Sequence, residues 1–526
     1  MFVSVFFFIL FVVIWCLWNY CINVFNELLN LDFVSLANWN WWINCELDSI
    51  TLFVWLMLII CFIYVCGYTG HYFGKDSVGS INLSEMINIF VGVMLFLVCT
   101  SEFLSTLIFW EFLGVVSFFL ILFYGSYLSL RSSIITLVSS RYGDVCLFLL
   151  IGCSYFIFGS SLISSIIFFF VIFTKSAGFP FISWLLEAMR APTPVSSLVH
   201  SSTLVAAGVW FSMRYNLLEY LNNIFFFNVF LILTVFITGV CCFYFVDLKK
   251  IVALSTCNNI SWCVLYLIYG DVCLAIFQLV AHGVAKCVLF MLVGDVMSGS
   301  GGSQAANCIY SPYFYGNWGI FSIFSVVLGL SGVPFVGVFF TKHIMLSSFN
   351  GVWNPFLFIT IMGCVFLSYF YSFRLCSLVI NINASNSFGV LFFFNSWMIG
   401  YLWLFIGFFF EHSLPEHYTL SIYSNLVLLI FQFISCIIAY FLYYDNNFSY
   451  WNSTLFGCDN VVESFYSLMN NLVNNLNLFI HRWDNYTIFL FNNIVVKAVV
   501  SIYANNILNL LIYSTIIFVV WFVILY

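Results

Sequence analysis

Lys175, Pro192, Pro194 and His200 fall close together in a stretch, FTKSAGFPFISWLLEAMRAPTPVSSLVHSSTLVAAGVWFSMR (173–214), that is set in almost wholly apolar sequence. An ionisable group at mid-depth in a bilayer costs roughly +2.5–3.5 kcal/mol on insertion scales. A helix broken by proline at that depth frees backbone groups that only a cavity or surrounding protein can satisfy. A buried lysine, a proline-broken segment and a buried histidine together therefore point to an ion path. The competing reading is a kinked helix whose charges snorkel, but Lys175 has no nearby water-facing end. Ser196, His200 and Thr203 succeed one another at four- and three-residue spacing, which would line one helical stripe with proton-bonding groups.

Two other stretches carry the same chemistry. In CLAIFQLVAHGVAKCVLFMLVG (273–294), Gln278, His282 and Lys286 are spaced i, i+4, i+8 and drift only about 40° per step around a helix. Glutamine can orient water there but cannot carry the proton's charge. Glu111 lies in an apolar run and should be protonated or paired, while Arg141 and Asp144 sit three residues apart, where they can neutralise each other. Phe173-Thr174-Lys175 recurs as Phe340-Thr341-Lys342, each beside a proline and each preceded by another buried ionisable group, Glu111 and then Lys286. A repeated unit with a broken helix and a buried charge is the mark of a repeat-built transporter.

The elements that must position these groups are membrane helices. The chain has 526 residues, 64% hydrophobic and only 6% charged, against about 25% charged in soluble domains. Apolar runs of about 20 residues predict an all-α polytopic bundle of roughly 14–15 transmembrane helices, without the alternation of a membrane barrel. Expected spans include about 2–22, 49–69, 84–101, 102–125, 133–157, 162–186, 224–246, 272–295, two within 314–348, then 390–410 and 421–444. Residues 38–48 read as a tryptophan-rich interfacial loop, GSGGSQ (299–304) as a flexible loop, and Lys249 as an interface anchor. From Asp459 the chain turns amphipathic before a final apolar run at about 507–526. The 19 cysteines form no C-x-x-C pair and lie mostly in apolar runs, so no metal or cluster is expected. Residues 2–17 read as a first membrane helix with no signal or import sequence. The bias toward Phe, Asn, Tyr and Ile suits a chain encoded in an AT-rich organelle genome.

KSAGFPFISWLLEAMRAPTPVSSLVHSSTLVAAGVW resembles the core signature of the antiporter-like proton-pumping subunits of respiratory NADH dehydrogenase (complex I), in the form carried by chain 5. The resemblance extends from about Asp48 to Arg374. It covers Phe109-Trp110-Glu111, Arg141-Tyr142-Gly143-Asp144, Asp247-Leu248-Lys249-Lys250, Pro334 and Lys342, and Tyr371-Ser372-Phe373-Arg374. The chain departs from it at Gln278, where the family often has histidine, and at His343, where it has an acid. The resemblance implies that Glu111 is the carboxylate partner of Lys175, with Asp144 in support. It also implies two antiporter-like inverted repeats and a C-terminal amphipathic helix laid laterally along neighbouring subunits.

The implied domain organisation is membrane helices at 1–83, repeats at 84–246 and 247–383, further membrane helices at 384–458, and the lateral and terminal helices at 459–526. The expected function is proton translocation along Glu111, Lys175, His200, His282, Lys286 and Lys342, driven by NADH oxidation and quinone reduction in other subunits. No cofactor is expected in this chain; the resemblance puts NADH, FMN, iron–sulfur clusters and ubiquinone in partner subunits. Expected partners are other membrane-arm subunits, chain 4 above all, and lipids, with no nucleic acid. The expected location is the mitochondrial inner membrane. A subunit of a related cation/proton antiporter and a purely structural membrane subunit are the competing readings.

Overall fold

The computed structural model describes residues 28–36, 39–74, 77–156, 162–215, 224–269, 272–312, 316–332, 337–349, 355–380, 383–385, 422–443, 458–496 and 504–525. The chain divides into two units, Met1–Phe456 and Gly457–Tyr526.

The first unit opens with an antiparallel hairpin, β1 (Leu28–Leu36) and β2 (Trp39–Glu46), pairing Leu28 with Glu46 and Leu36 with Trp39. The tryptophan-rich stretch expected as a loop is thus largely a strand, as its run of β-favouring Trp and Ile allows. The first helices are α1 (Ser49–Phe73), α2 (Val78–Cys99), α3 (Phe103–Leu122), α4 (Tyr127–Phe156) and α5 (Leu162–Ser176). Next come the short α6 (Ser183–Ala188) and α7 (Thr193–Leu198), a π-helical turn (Val199–Thr203) and α8 (Leu204–Arg214). They lead to α9 (Ile224–Tyr244), α10 (Leu248–Ile268) and α11 (Val272–Gly299). After β3 (Tyr310–Pro312) come α12 (Gly316–Ser331), α13 (Phe339–Phe349) and α14 (Pro355–Ile380); β4 (Asn383–Ser385) pairs parallel with β3, and α15 (Ile422–Leu442) packs on α14.

Among the described residues nine helices are long and apolar enough to span a membrane, with shorter apolar helices at Ile163–Ser176, Ser322–Ser331, Leu426–Leu442 and Asn509–Trp521. The spans expected at 2–22 and 390–410 lie outside the described residues. The helices divide into two kinds. Segment Thr193–Arg214 and α11 are buried throughout, and α10 nearly so, whereas α2 and α4 leave most of their length uncovered. A helix covered on all sides is core, and one with an apolar exposed face is lipid- or partner-facing. The stretches that carry His200 and the Gln278–His282–Lys286 line are at the centre.

Glycines set the closeness of the central packing. A β-carbon on Gly208 would stand 3.0 Å from the Ile172 carbonyl and 3.1 Å from the Ser176 amide, so α8 lies directly on the backbone of α5. One on Gly143 would fall 2.2 Å from Thr174 Oγ1, so α4 touches α5 next to Lys175. The Gly143 of the Arg-Tyr-Gly-Asp motif is the gap that lets the Asp144 helix approach the lysine helix.

One span differs from expectation. The helix predicted over 162–186 ends at Ser176, with Ala177 at φ 56° and the turn running through Gly178 and Pro180. Pro180 has no amide hydrogen to continue the helix, so the break begins earlier than Pro192 and Pro194 suggest. Lys175 therefore sits at the edge of the break.

In the second unit, α16 (Cys458–Leu490) runs on into a π-helical stretch, Phe491–Val496, and α17 (Ala504–Leu525) comes after it. Leu468, Leu472, Leu476, Phe479, Trp483 and Tyr486 fall on one side of α16; Asn470, Asn474, His481 and Asn485 fall on the other. This is the expected amphipathic pattern.

Candidate functional site

Lys175 is fully buried, its ammonium 3.5 Å from the Trp110 carbonyl and 5.1 Å from the centre of the Trp110 ring. Gly114, one turn along α3, leaves room for it: a β-carbon there would stand 3.9 Å from Nζ. Glu111 is not its ion-pair partner. The Glu111 carboxylate is half-exposed and bonds Arg141 Nη1 at 3.0 Å, and the same Nη1 lies 3.4 Å from Asp144. Among the described residues no carboxylate comes within the 4.0 Å of an ion pair with Lys175. The charged groups around Lys175 are Asp144, Arg141 and Glu111. Asp144 is buried, with one carboxylate oxygen lacking a hydrogen-bond partner. Glu111 and Asp144 thus share Arg141, with Asp144 the buried acid of the two and Glu111 the half-exposed one.

A small cavity joins this centre to His200. Lys175, Thr174, Ser140, Ser117, Thr136, Trp184 and His200 are among the residues that line it. His200 is fully buried, and neither ring nitrogen has a hydrogen-bond partner of ordinary geometry. It sits in the π-helical turn between α7 and α8, where Pro192 caps α7 and Pro194 fills its first turn. The regular stripe expected for Ser196, His200 and Thr203 is interrupted by that turn. Thr203 Oγ1 bonds back to the Leu198 and Val199 carbonyls at 3.0 and 3.3 Å, and Ser196 Oγ bonds the Thr193 carbonyl at 2.9 Å. The extra residue of a π turn rotates the residues after it off the α-helical face.

On α11, Gln278, His282 and Lys286 are all buried along the predicted line. Lys286 donates to Ser255 on α10. His282 has no hydrogen-bond partner of ordinary geometry, like His200. Gln278 Oε1 accepts from Thr341 Oγ1 at 2.7 Å, which ties α11 to the residue before Lys342. Lys342, on the first turn of α13, donates to the Ser331 carbonyl at 2.7 Å and to Ser368 Oγ at 2.9 Å, and stands 5.3 Å from the Tyr369 ring. Ser331 ends α12 and Gly332 has φ 88°, so this lysine too lies at a break. Pro334 lies outside the described residues. His343 is partly exposed, its ring 5.2 Å from Phe339.

Several functional candidates were hidden in the sequence. Lys249 is buried, not an interface anchor, and donates to the Ala191 carbonyl at 3.3 Å, at the Pro192 break. Asn259 on α10 has both amide atoms buried without partners, and Asn258 bonds Val235 and Thr238. Arg374 donates to the Cys242 carbonyl at 2.6 Å. The polar run Ser255, Asn258, Asn259 sits in an otherwise apolar helix, and that interruption was the available signal. The GSGGSQ loop is a turn with Gly301 and Gly302 at positive φ, and it is tied back by Gln304, whose carbonyl accepts the Leu248 amide at 3.1 Å. Among the described residues, no group of three or more His, Cys, Asp or Glu side chains could hold a metal ion.

With this geometry in place, residues 100–368, which contain every lysine and histidine of the line, match the family described as NADH:quinone oxidoreductase/Mrp antiporter, TM. The chain is 31% identical over 372 residues to NADH-ubiquinone oxidoreductase chain 5 of Caenorhabditis elegans, covering 69% of this chain and 68% of that one. The chain belongs to this family. To the protein of the same name from Artemia franciscana it is 31% identical over 391 residues, covering 69% and 71% of the two chains. Among solved structures, the Mrp complex from Dietzia contains a chain of similar fold, with a TM-score of 0.71 at 19% identity over 91% of this chain and 58% of that one. A chain of the archaeal membrane-bound sulfane sulfur reductase also shares the fold, with a TM-score of 0.61 at 15% identity over 76% of this chain and 85% of that one.

Proposed function

We propose that this chain is a proton-translocating membrane-arm subunit of NADH:ubiquinone oxidoreductase, with the buried line of Lys175, His200, His282, Lys286 and Lys342 as its proton path. The observation that carries the reading is that line, lying within a chain related over more than two thirds of its length to chain 5. The buried lysines donate to one or two carbonyl or hydroxyl oxygens each, and the two histidines between them have ring nitrogens without a hydrogen-bond partner of ordinary geometry among the described residues. Such nitrogens can take a proton from one neighbour and pass it to the next through ordered water.

Asp144 sets the charge at the start of the line, and Glu111 tunes it from the half-exposed face through Arg141. Lys249 at the Pro192 break and Asn259 near Lys286 are further polar stations. Residues 84–246 and 247–383 act as the two antiporter-like repeats, one around each break. Electron transfer takes place in partner subunits that hold NADH, FMN, iron–sulfur clusters and ubiquinone, and this chain carries none of them. Chain 4 is its neighbour in the membrane. Helix α16, about 50 Å long at 1.5 Å per residue, lies laterally along partner subunits, and the chain is an organelle-encoded protein of the mitochondrial inner membrane.

A native gel of mildly solubilised membranes, stained for NADH oxidation and analysed by mass spectrometry, tests the assignment. The chain is expected in the active band alongside flavin and iron–sulfur subunits. Migration apart from all NADH activity would transfer the reading to a cation/proton antiporter.

A further inference from the structure

A second titratable cluster lies away from the Lys175–Lys342 line, where three elements end together. His71 is in the last turn of α1, Asp295 in the last turns of α11, and Thr193 is the first residue of α7, directly after the Pro192 break. His71 Nε2 lies 3.5 Å from Asp295 Oδ1; the histidine side chain is 19% exposed and the carboxylate 2%. Tyr68, one turn before His71 and fully buried, brings its hydroxyl against Gly294, beside Asp295 and where Thr193 also comes close. Gly294 makes this approach possible, since a β-carbon there would stand 2.5 Å from Tyr68 Oη and 3.3 Å from Thr193 Cβ. Thr193 Oγ1 is buried with no hydrogen-bond partner of ordinary geometry. One turn further on, Ser196 and Ser197 lead toward the π turn that holds His200.

A partly exposed imidazole, a buried carboxylate, a phenol and a buried hydroxyl thus run from the shared end of α1 and α11 to the segment carrying His200. We propose that His71, Asp295 and Tyr68 form a proton port, joining the solvent at the shared end of α1 and α11 to the His200 segment. The inference rests on the proton-path reading above and gives that path an outlet at one face.

Each hop moves one proton and no electrons. Imidazolium at His71 gives its Nε2 proton to the Asp295 carboxylate. The Asp295 acid then protonates Tyr68 Oη as that phenol releases its own proton to Thr193 Oγ1. The threonine hydroxyl passes a proton on toward His200 and is restored by the same exchange. The reverse order serves release. The buried carboxylate is the step that cannot be bypassed, because solvent reaches His71 but scarcely reaches Asp295.

The test measures proton uptake per NADH oxidised in closed vesicles bearing the assembled complex, with Lys175→Ala as the reference variant. Asp295→Asn should lower the initial proton-pumping rate by about tenfold or more, within the range a positioned acid–base group contributes. Asp295→Glu should restore most of it. His71→Ala should slow pumping, and added imidazole should recover it, which a structural gap at that position would not allow. If Lys175→Ala abolishes pumping while Asp295→Asn and His71→Ala both pump normally, the port is overturned and the path stands. Loss of pumping in both port variants with no recovery by glutamate or imidazole makes the cluster structural and also overturns the port. If Lys175→Ala pumps normally, the path itself fails and the port fails with it.

Discussion

Lys175 and Lys342 stand at matching breaks in the two halves of the bundle, yet they are held by different physics. Around Lys175 the neighbours include charges, Asp144 and the Arg141–Glu111 pair. Among the described residues, Lys342 donates to neutral oxygens, the Ser331 carbonyl and the Ser368 hydroxyl, with an aromatic face beside them. Lys286, with Ser255, is of the same kind. Charges act over several ångströms in a low-dielectric interior and respond to what happens at a distance, whereas a neutral hydrogen bond acts only at contact. A change in the half-exposed Glu111–Arg141 pair can thus be felt at Lys175 across a distance, whereas the hydroxyl and carbonyl contacts of Lys342 and Lys286 act only at touch.

The comparison can be broken at its strongest point first. Asp144→Asn removes the buried carboxylate charge beside the Lys175 helix and is expected to slow proton pumping about tenfold, the equivalent of about 1.4 kcal/mol in a barrier. Gly143→Ala ranks second. Its new methyl meets Thr174 and forces α4 from α5, for which about 1–3 kcal/mol of overpacking strain is expected, read as a lower unfolding temperature together with slower pumping. Glu111→Gln should have a smaller effect, a few-fold by the tenfold-per-1.4 kcal/mol scale, because the group is half in solvent and acts through Arg141. Ser368→Ala removes one of two neutral acceptors of Lys342 and should alter pumping least, within about threefold, the cost of a neutral hydrogen bond. A Ser368→Ala effect larger than that of Asp144→Asn would erase the distinction between the halves.

Much of this was legible from residue types. The line Gln278, His282, Lys286 emerges from helical spacing alone, and all three are buried where the spacing puts them. The Arg141–Asp144 pair is equally local. What pattern could not reach was distance between helices. Glu111 and Asp144 lie on α3 and α4, and which of them dominates at Lys175 depends on how far Gly143 lets α4 sink against α5. Periodicity also assumes a regular helix, so the early break at Ala177 and the π turn at His200 displaced expectations built on 3.6 residues per turn. Lys249 reads as surface because it adjoins Asp247 and Lys250, yet α10 is enclosed on all sides and turns it inward.

The central claim is that buried lysine carries the proton, and Lys175→Ala in the assembled complex tests it most directly. Native-gel NADH staining establishes assembly, and a membrane-impermeant pH dye then tracks protons moved per NADH oxidised. The account predicts an assembled complex that oxidises NADH with little or no proton pumping. Full assembly with an unchanged proton yield would contradict it and leave Lys175 a structural charge.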